Sequence, residues 1–306
     1  MQLDISEFEN ELPVEPHRDH GDLIFECSVL DARGWEPRRD DLFSEGHVCL
    51  FFDIETRPLC AEELGRIAKP FNPSKMDKKR PSENFEWAAP KNWVDTAKIE
   101  AKRIRDYAAW MQSVKDWDSE LEQAETEYWS NIFEKAALDA CLSTVCCVGF
   151  MKFTDLDTPT RVIHGDEQGI LQAIWDVVRA AADTSSSLVG YNIFHFDLPY
   201  LIRRSWINDI PVPHFVFANR RWNDTLFVDV AQKWSMNQKQ YVSLDVLSKA
   251  FALKGKRDQE VEEATFHEFW DADADKRQLA VEYLCSDLRL TGELAYKMGV
   301  GDEFII

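Results

Sequence analysis

The sequence predicts an α/β protein built on a mixed sheet, and two features of its apolar pattern support this class. Residues 48–52 are an unbroken apolar run, which is typical of a central strand that is covered on both faces. After residue 143, short apolar runs alternate with amphipathic helical segments. Three strands come in succession before this alternation begins, so we expect one mixed five-stranded sheet that is flanked by helices.

The remaining elements follow the periods of two and 3.6 residues that identify strands and helices. Further strands are predicted at 143–153, 160–164, 188–191 and 226–230, and helices at 167–183, 196–207, 243–252 and 275–298. Ahead of the first strand, residues 1–46 form an acidic N-terminal segment in which residues 23–30 have the composition of a strand. We expect the folded domain to occupy residues 47–306.

A long polar insertion follows the first strand, at about residues 59–140. Its first part contains four prolines and a basic cluster, so it is predicted to be loop. Residues 95–140 contain neither proline nor glycine and predict one or two helices. The insertion is either a peripheral helical layer or an arm that grips a substrate.

Composition places the chain among ordinary globular proteins, with 45% hydrophobic and 29% charged residues in a length of 306. The net charge of −20 disfavours a general polyanion binder, which carries a basic face. Basic clusters nevertheless occur, and each is either a local patch or a solvated surface: 75–80, 203–204, 220–221 and 254–257. We find no signal peptide and no membrane span, and we expect a cytoplasmic protein whose seven scattered cysteines stay reduced.

Two acids directly follow the first apolar strand, and they are the first candidates for chemistry. Strand side chains alternate between faces, so Asp53 and Glu55 point the same way. Two like charges side by side on a buried strand are costly unless a cation lies between them. A hard divalent ion prefers carboxylate oxygens and would supply that cation. The alternative is that the strand has ended and both acids are solvated.

Further acids follow other predicted elements. Asp197 comes shortly after the fourth strand, at the edge where open α/β sheets bind ligands, although its place two residues before Pro199 also fits a helix N-cap. On the last helix, Tyr283 and Asp287 are four residues apart and share one face, as either a metal site with an oriented water or a surface pair. His195 lies in a loop, and we assign it no catalytic role.

Taken in order, these residues resemble the DEDD exonuclease superfamily, which has a ribonuclease-H-like fold. The pattern consists of Asp53 with Glu55, Asn192 with Asp197, and Tyr283 with Asp287. A tyrosine four residues before the last acid is the mark of the DEDDy branch. The histidine branch needs His five residues before that acid, where this chain has Glu282.

Within that branch, the chain is most similar to the stand-alone predicted 3′–5′ exonucleases that are related to the proofreading domain of family B DNA polymerases. Two further segments carry this similarity: 134–139, which leads into the second strand, and 242–247 with the Gly-Lys pair at 255–256. The chain departs from the family in its acidic first segment and in the size of the insertion. Those departures concern substrate preference more than chemistry.

The resemblance implies hydrolysis of phosphodiester bonds with two divalent metal ions, Mg²⁺ with Mn²⁺ as a substitute. It implies that Asp53 bridges both metals, that Glu55 and Asp287 complete the site that activates the water, and that Asp197 supports the second metal. It gives Tyr283 the role of orienting the attacking water.

The partner implied is a nucleic acid, with single-stranded DNA 3′ ends ahead of RNA. Thr56, Asn192 and Phe196 are the expected substrate contacts, with a stacking role for Phe194. For both phenylalanines, ordinary packing is an equal alternative. A non-catalytic nucleic-acid or protein interaction module on the same fold remains the rival hypothesis, because a fold alone does not settle function.

Overall fold

A computed structural model describes residues 27–33, 35, 41–43, 48–152, 160–217, 226–236, 238, 241–253, 261 and 265–300. Several features predicted above lie outside these residues. They are the start of the strand predicted at 23–30, the basic clusters at 220–221 and 254–257, and the Gly-Lys pair at 255–256.

Six strands of the described chain form one mixed sheet, in the spatial order β1-β4-β3-β2-β5-β6. The strands are β1 (Cys27–Asp31), β2 (Cys49–Pro58), β3 (Ser143–Lys152), β4 (Thr160–His164), β5 (Ser187–Gly190) and β6 (Phe227–Asp229). Strand β3 runs antiparallel to both of its neighbours, and the other pairs are parallel. The predicted mixed α/β sheet is therefore confirmed.

The predicted number of five strands is wrong for the described chain, because β1 adds a sixth. It pairs in parallel with β4 at one edge of the sheet, from Cys27 beside Thr160 to Asp31 beside His164. Part of the segment at 1–46 thus contributes to the sheet, whereas the domain boundary drawn at residue 46 stays a prediction.

Eight helices flank the sheet in the described part of the chain. They are α1 (Ala61–Ile67), α2 (Thr96–Ala136), α3 (Glu167–Asp183), α4 (Asp197–Ile207), α5 (Val230–Ser235), α6 (Leu244–Ala250), α7 (Phe266–Trp270) and α8 (Ala274–Lys297). The helical part of the insertion is one continuous helix, α2, which Asp95 caps by accepting from two backbone N–H groups. The short helices α1, α5 and α7 had not been predicted.

Apolar side chains cover both faces of the sheet. Successive side chains of β2 alternate between the two faces and therefore belong to two different cores. Leu50, Phe52 and Ile54 belong to a core shared with α3 and α4, whereas Phe51 belongs to a second core shared with α7 and α8. This mixed sheet with helices on both faces agrees with the ribonuclease-H-like fold that the resemblance implied. Within the described residues, we find no helix that is both long and apolar enough to cross a membrane.

Candidate active site

The first two predicted site residues lie in the middle part of the central strand. Asp53 and Glu55 are on β2 and share the face of Phe51, which is the face that α8 covers. Asp53 is half-buried and Glu55 is buried. The alternative in which both acids are solvated beyond the strand end is therefore wrong, since β2 continues to Pro58.

A β-bulge lies next to these acids. Glu55 pairs with Cys147 and Thr56 pairs with Val145, so Cys146 is an extra residue on β3, and its thiol donates to the Glu55 carbonyl at 3.2 Å. Bulges bend a strand and redirect the side chains beside it. The Thr56 hydroxyl donates to the carbonyl of Ala137 at 2.7 Å. Because the Thr56 hydroxyl donates its proton within the protein, it can only accept a hydrogen bond from a substrate.

A glycine on the neighbouring strand lets the last helix approach the acids. Gly149 pairs with Asp53 across the sheet, and a Cβ on it would lie 2.7 Å from Leu288 Cδ1 and 3.1 Å from Leu284 Cγ. A side chain at this position would therefore require the two leucines or α8 itself to shift. Tyr283 and Asp287 directly precede those two leucines, and both are buried against the sheet. The close contact at Gly149 therefore brings the last helix to the strand that carries Asp53.

The third part of the site comes from the start of α4. Pairing between β2 and β5 ends at Phe51 and Val189, which leaves the next part of that edge of β2 open. Asp197 reaches this edge, and its Oδ1 accepts a hydrogen bond from the backbone N–H of Ile54 at 3.4 Å. Its side chain is 2% exposed. The alternative role as an N-cap is wrong, because Phe196 holds the cap position and Asp197 is the first helical residue.

The turn between β5 and α4 is held by an acid that sequence reasoning missed. Asp229, at the end of β6, accepts from the backbone N–H groups of Asn192 at 2.9 Å and Phe194 at 3.1 Å, and from Gln232 at 3.1 Å. Burial raises the pKa of this carboxyl, and the backbone donors oppose that rise. Asn192 adopts a left-handed backbone with φ of 62°. The sequence signal for Asp229 is an acid at the end of an apolar strand, and that signal alone does not reveal its backbone partners 35 and 37 positions away.

The residues predicted to contact a substrate in this turn are partly buried in the protein. Phe194 and Phe196 are half-buried and pack against the core, and the Phe196 ring lies 5.4 Å from the Tyr200 ring. Asn192 is also half-buried, whereas His195 is exposed. Packing is thus observed for both phenylalanines, and their contact with a substrate stays a prediction.

The electrostatic effect of the strand acids is visible at a neighbouring thiol. Cys147 is fully buried, and its pKa is raised first by burial, then by Cys146, and further by the charges of Glu55 and Asp53. The acidic oxygen donors are of the kind that a hard divalent cation prefers. Across the residues that the structure describes, however, no three Asp, Glu, His or Cys side chains already stand together as a metal-binding group.

The fold and the site together define a ribonuclease-H-like α/β protein with acids from three elements around the middle of its central strand. Residues 126–288 match the family model described as "Predicted 3'-5' exonuclease related to the exonuclease domain of PolB". The match spans more than half of the chain, and the chain belongs to this family. It includes Asn192, Asp197, Tyr283 and Asp287, whereas Asp53 and Glu55 lie before its first residue.

Among solved structures, the chain is similar to the family B DNA polymerase from the hyperthermophilic archaeon Pyrobaculum calidifontis. The two share 21% identity with a TM-score of 0.43, over 54% of this chain and 23% of the polymerase chain. The matched part of the chain therefore covers less than a quarter of the length of that polymerase. No curated protein matches the chain.

Proposed function

We propose that this chain is a metal-dependent 3′–5′ exonuclease of the DEDDy type that hydrolyses phosphodiester bonds at DNA 3′ ends, with single strands preferred. One observation carries the proposal: the hydrogen bond from the Ile54 N–H to Asp197 attaches the second acidic motif to the strand between Asp53 and Glu55. Family membership supports the same class of activity, since the family is described as exonuclease-related.

The metal ions would be held by Asp53, Glu55, Asp197 and Asp287. Three of these carboxylates are buried, and burial of like charges is unfavourable without a cation nearby, so the donor set fits Mg²⁺ or Mn²⁺. When bound, two such ions supply an acidified water and neutralise charge on the phosphate and the leaving oxygen. They would also offset the local repulsion between an acidic chain and a polyanionic substrate.

We assign roles to Asp53 and Tyr283 from their positions in the site. Asp53 lies between the Asp197 carboxylate on one side of β2 and the α8 residues on the other, which suits a shared ligand. The Tyr283 ring packs 6.0 Å from the Phe266 ring, and this contact fixes the direction of its phenol. We assign that phenol the orientation of the attacking water, through a hydrogen bond that its oxygen can donate or accept.

The substrate end would lie against the turn before α4. Asn192 and Phe196 would contact the terminal nucleotides, Phe194 would stack on a base, and Thr56 would accept through its hydroxyl oxygen. Asp229 holds two of the backbone N–H groups in this turn, so the loop is fixed before any substrate arrives. A prearranged loop reduces the entropy lost when the substrate binds.

A second candidate is a non-catalytic nucleic-acid or protein interaction module. Such a module would reuse the same fold, and a fold alone does not settle function. RNA is the alternative substrate within the enzyme hypothesis, because the residues named here are not specific to deoxyribose.

The test is a gel assay with single-stranded DNA, duplex DNA and RNA of one sequence, each labelled at the 5′ end. Each substrate is incubated with Mg²⁺, Mn²⁺ or a chelator, beside the Asp53→Asn variant. Glu125→Gln is the matched control, because it neutralises an exposed acid on α2. We expect a metal-dependent ladder that shortens from the 3′ end for the wild type and the control, and intact substrate for Asp53→Asn.

Each other outcome assigns a different function. Immediate release of the labelled mononucleotide would reverse the polarity, and a ladder on RNA alone would change the substrate. Intact DNA and RNA in every lane, from protein with a normal circular dichroism spectrum, would favour the interaction module.

A further inference from the structure

The insertion forms an arm, which we define as residues 69–136. Its helix α2 has 41 residues and is therefore ~60 Å long. The arm residues that precede α2 run antiparallel to the helix along its surface. Four contacts show this course: Tyr128 to the Lys69 carbonyl, Lys78 to Glu120, Trp110 to the Ser82 carbonyl, and Trp87 to Asp106. These contacts cover one side of α2.

Another side of α2 leaves large apolar side chains exposed to solvent. Ile104 and Tyr107 are 62% and 48% exposed, and they share one face with the exposed Met111 because their spacing is three and four residues. Tyr107 lies at the border of this face, since its ring also packs 5.3 Å from the Phe85 ring of the preceding stretch. Trp129 lies about five helical turns beyond Met111, so it points to the same side, with the exposed Phe133 one turn further. An apolar face at both ends of a long exposed helix is typical of a docking surface.

Charge along the helix argues against nucleic acid as the occupant of this face. The stretch 116–134 contains seven acidic residues and neither lysine nor arginine. The phosphate backbone of a nucleic acid would be repelled there. The start of the helix is less acidic: it carries Lys98, Lys102, Arg103 and Arg105, and three of these bases pair with acids of the same segment. The helix is therefore complementary in charge to a copy of itself that runs in the opposite direction.

One antiparallel register satisfies both the apolar and the charged pattern. With the two-fold axis near Asp118, Ile104 lies opposite Phe133 of the second copy, and Tyr107 lies opposite Trp129 of that copy. The same register sets Lys115 opposite Glu122 of the second copy, and both side chains are exposed. The apolar pairs and the ion pair involve different residues, yet all of them place the two-fold axis near Asp118.

We propose that the arm is a self-association surface, on which α2 of one copy of this chain packs antiparallel against α2 of a second copy. A two-fold axis makes each contact twice, so the interface contains two Lys115–Glu122 ion pairs and two Tyr107–Trp129 contacts. This proposal concerns the arm and is independent of the proposed nuclease activity.

The experiment is sedimentation equilibrium of the full chain over a range of micromolar concentrations, with four variants. We expect a concentration-dependent dimer for the wild type. Lys115→Glu should weaken the dimer about tenfold, because it replaces two attractive contacts with two repulsive ones. The double variant Lys115→Glu with Glu122→Lys should recover wild-type association, since each pair is restored with its charges exchanged. Tyr107→Asp should leave only monomer.

Lys249→Glu is the control, because it reverses an exposed charge on α6, away from the arm, and it should leave the dimer unchanged. Circular dichroism of every variant shows whether the fold is retained. A wild type that is monomeric at all concentrations would overturn the proposal. So would failure of the charge exchange to restore association. If Tyr107→Asp instead lowers the affinity for single-stranded DNA while all proteins are monomeric, the surface belongs to nucleic acid.

Discussion

The acids of the candidate active site around β2 and the acids of the arm are held in opposite environments. Glu55, Asp197 and Asp287 are buried where a strand and two helices meet, whereas Glu122 and Glu125 are exposed on α2. Burying like charges costs free energy that solvated charges do not cost. The comparison agrees with the roles proposed above, in which the first set serves chemistry and the second set serves surface charge and association.

The two regions also differ in how far apart in the sequence their contacting residues lie. The site joins residues that are far apart in sequence, such as Ile54 with Asp197 and Gly149 with Leu288. Several ion pairs on the arm join residues three or four positions apart, including Lys98 with Asp95 and Arg103 with Glu100. Changes at the site should therefore affect activity or global stability strongly, and single changes on the arm should affect either only slightly.

The largest effect on activity is expected for Asp53→Asn. The substitution keeps the size of the side chain and removes its charge, so the proposed metal site loses a shared ligand. Changes in groups that only support metal ligands cost about 10–100-fold, so this variant should lose at least about 100-fold in kcat. The thermal unfolding midpoint should not fall. An active Asp53→Asn enzyme would contradict the role given to β2.

The largest effect on stability is expected for Arg204→Ala. The guanidinium and the Glu167 carboxylate form two hydrogen bonds of 2.7 and 2.6 Å, with side chains that are 6% and 12% exposed. Removing one partner of a buried pair costs roughly 3–5 kcal/mol. Arg103→Ala on the arm is the matched control, since an exposed pair contributes about 0–1 kcal/mol. Urea denaturation measures both, and equal losses would undermine the contrast between the regions.

Gly149→Val tests whether the close contact with α8 forms the site. The added side chain would meet Leu284 and Leu288, and overpacking of this kind costs roughly 1–3 kcal/mol. Activity should fall further than the loss of folded protein explains, because α8 carries Tyr283 and Asp287. Gly65→Ala is the control: no atom lies within 4 Å of a Cβ at that helical position, and alanine should stabilise α1 by up to about 1 kcal/mol.

The smallest effect is expected for Asp229→Asn, which tests whether the turn before α4 is positioned by this acid. One oxygen can still accept from Asn192 and Gln232, but the new amide would face the Phe194 N–H, so kcat should fall about tenfold. Because burial raises the pKa of the wild-type carboxyl, its ionisation costs stability as the pH rises from about 4 through the raised value. The variant lacks this cost, so urea denaturation should show its relative stability increasing over that window. A variant that loses activity only in proportion to stability would argue against positioning.

The sequence predicted the elements that have local patterns. The apolar run of β2, the spacing of Asp53 and Glu55, and the last helix with Tyr283 and Asp287 all appear as expected. It could not predict Gly149 or Asp229, because their importance depends on contacts with residues far away in the chain. The arm was predicted only as one or two helices. Its continuous form follows from the absence of a helix breaker and from the side contacts that cover part of α2.

The central claim is that Asp53, which precedes the family match, and Asp287, which lies within it, serve one metal site. The most direct measurement is a Mn²⁺ titration, followed by electron paramagnetic resonance, of wild type, Asp53→Asn, Asp287→Asn and the double variant. We predict that each single variant weakens binding and that the double variant weakens it by less than the product of the single effects, because the two acids share a site. Wild-type Mn²⁺ affinity in Asp53→Asn, or fully independent effects of the two substitutions, would contradict the claim.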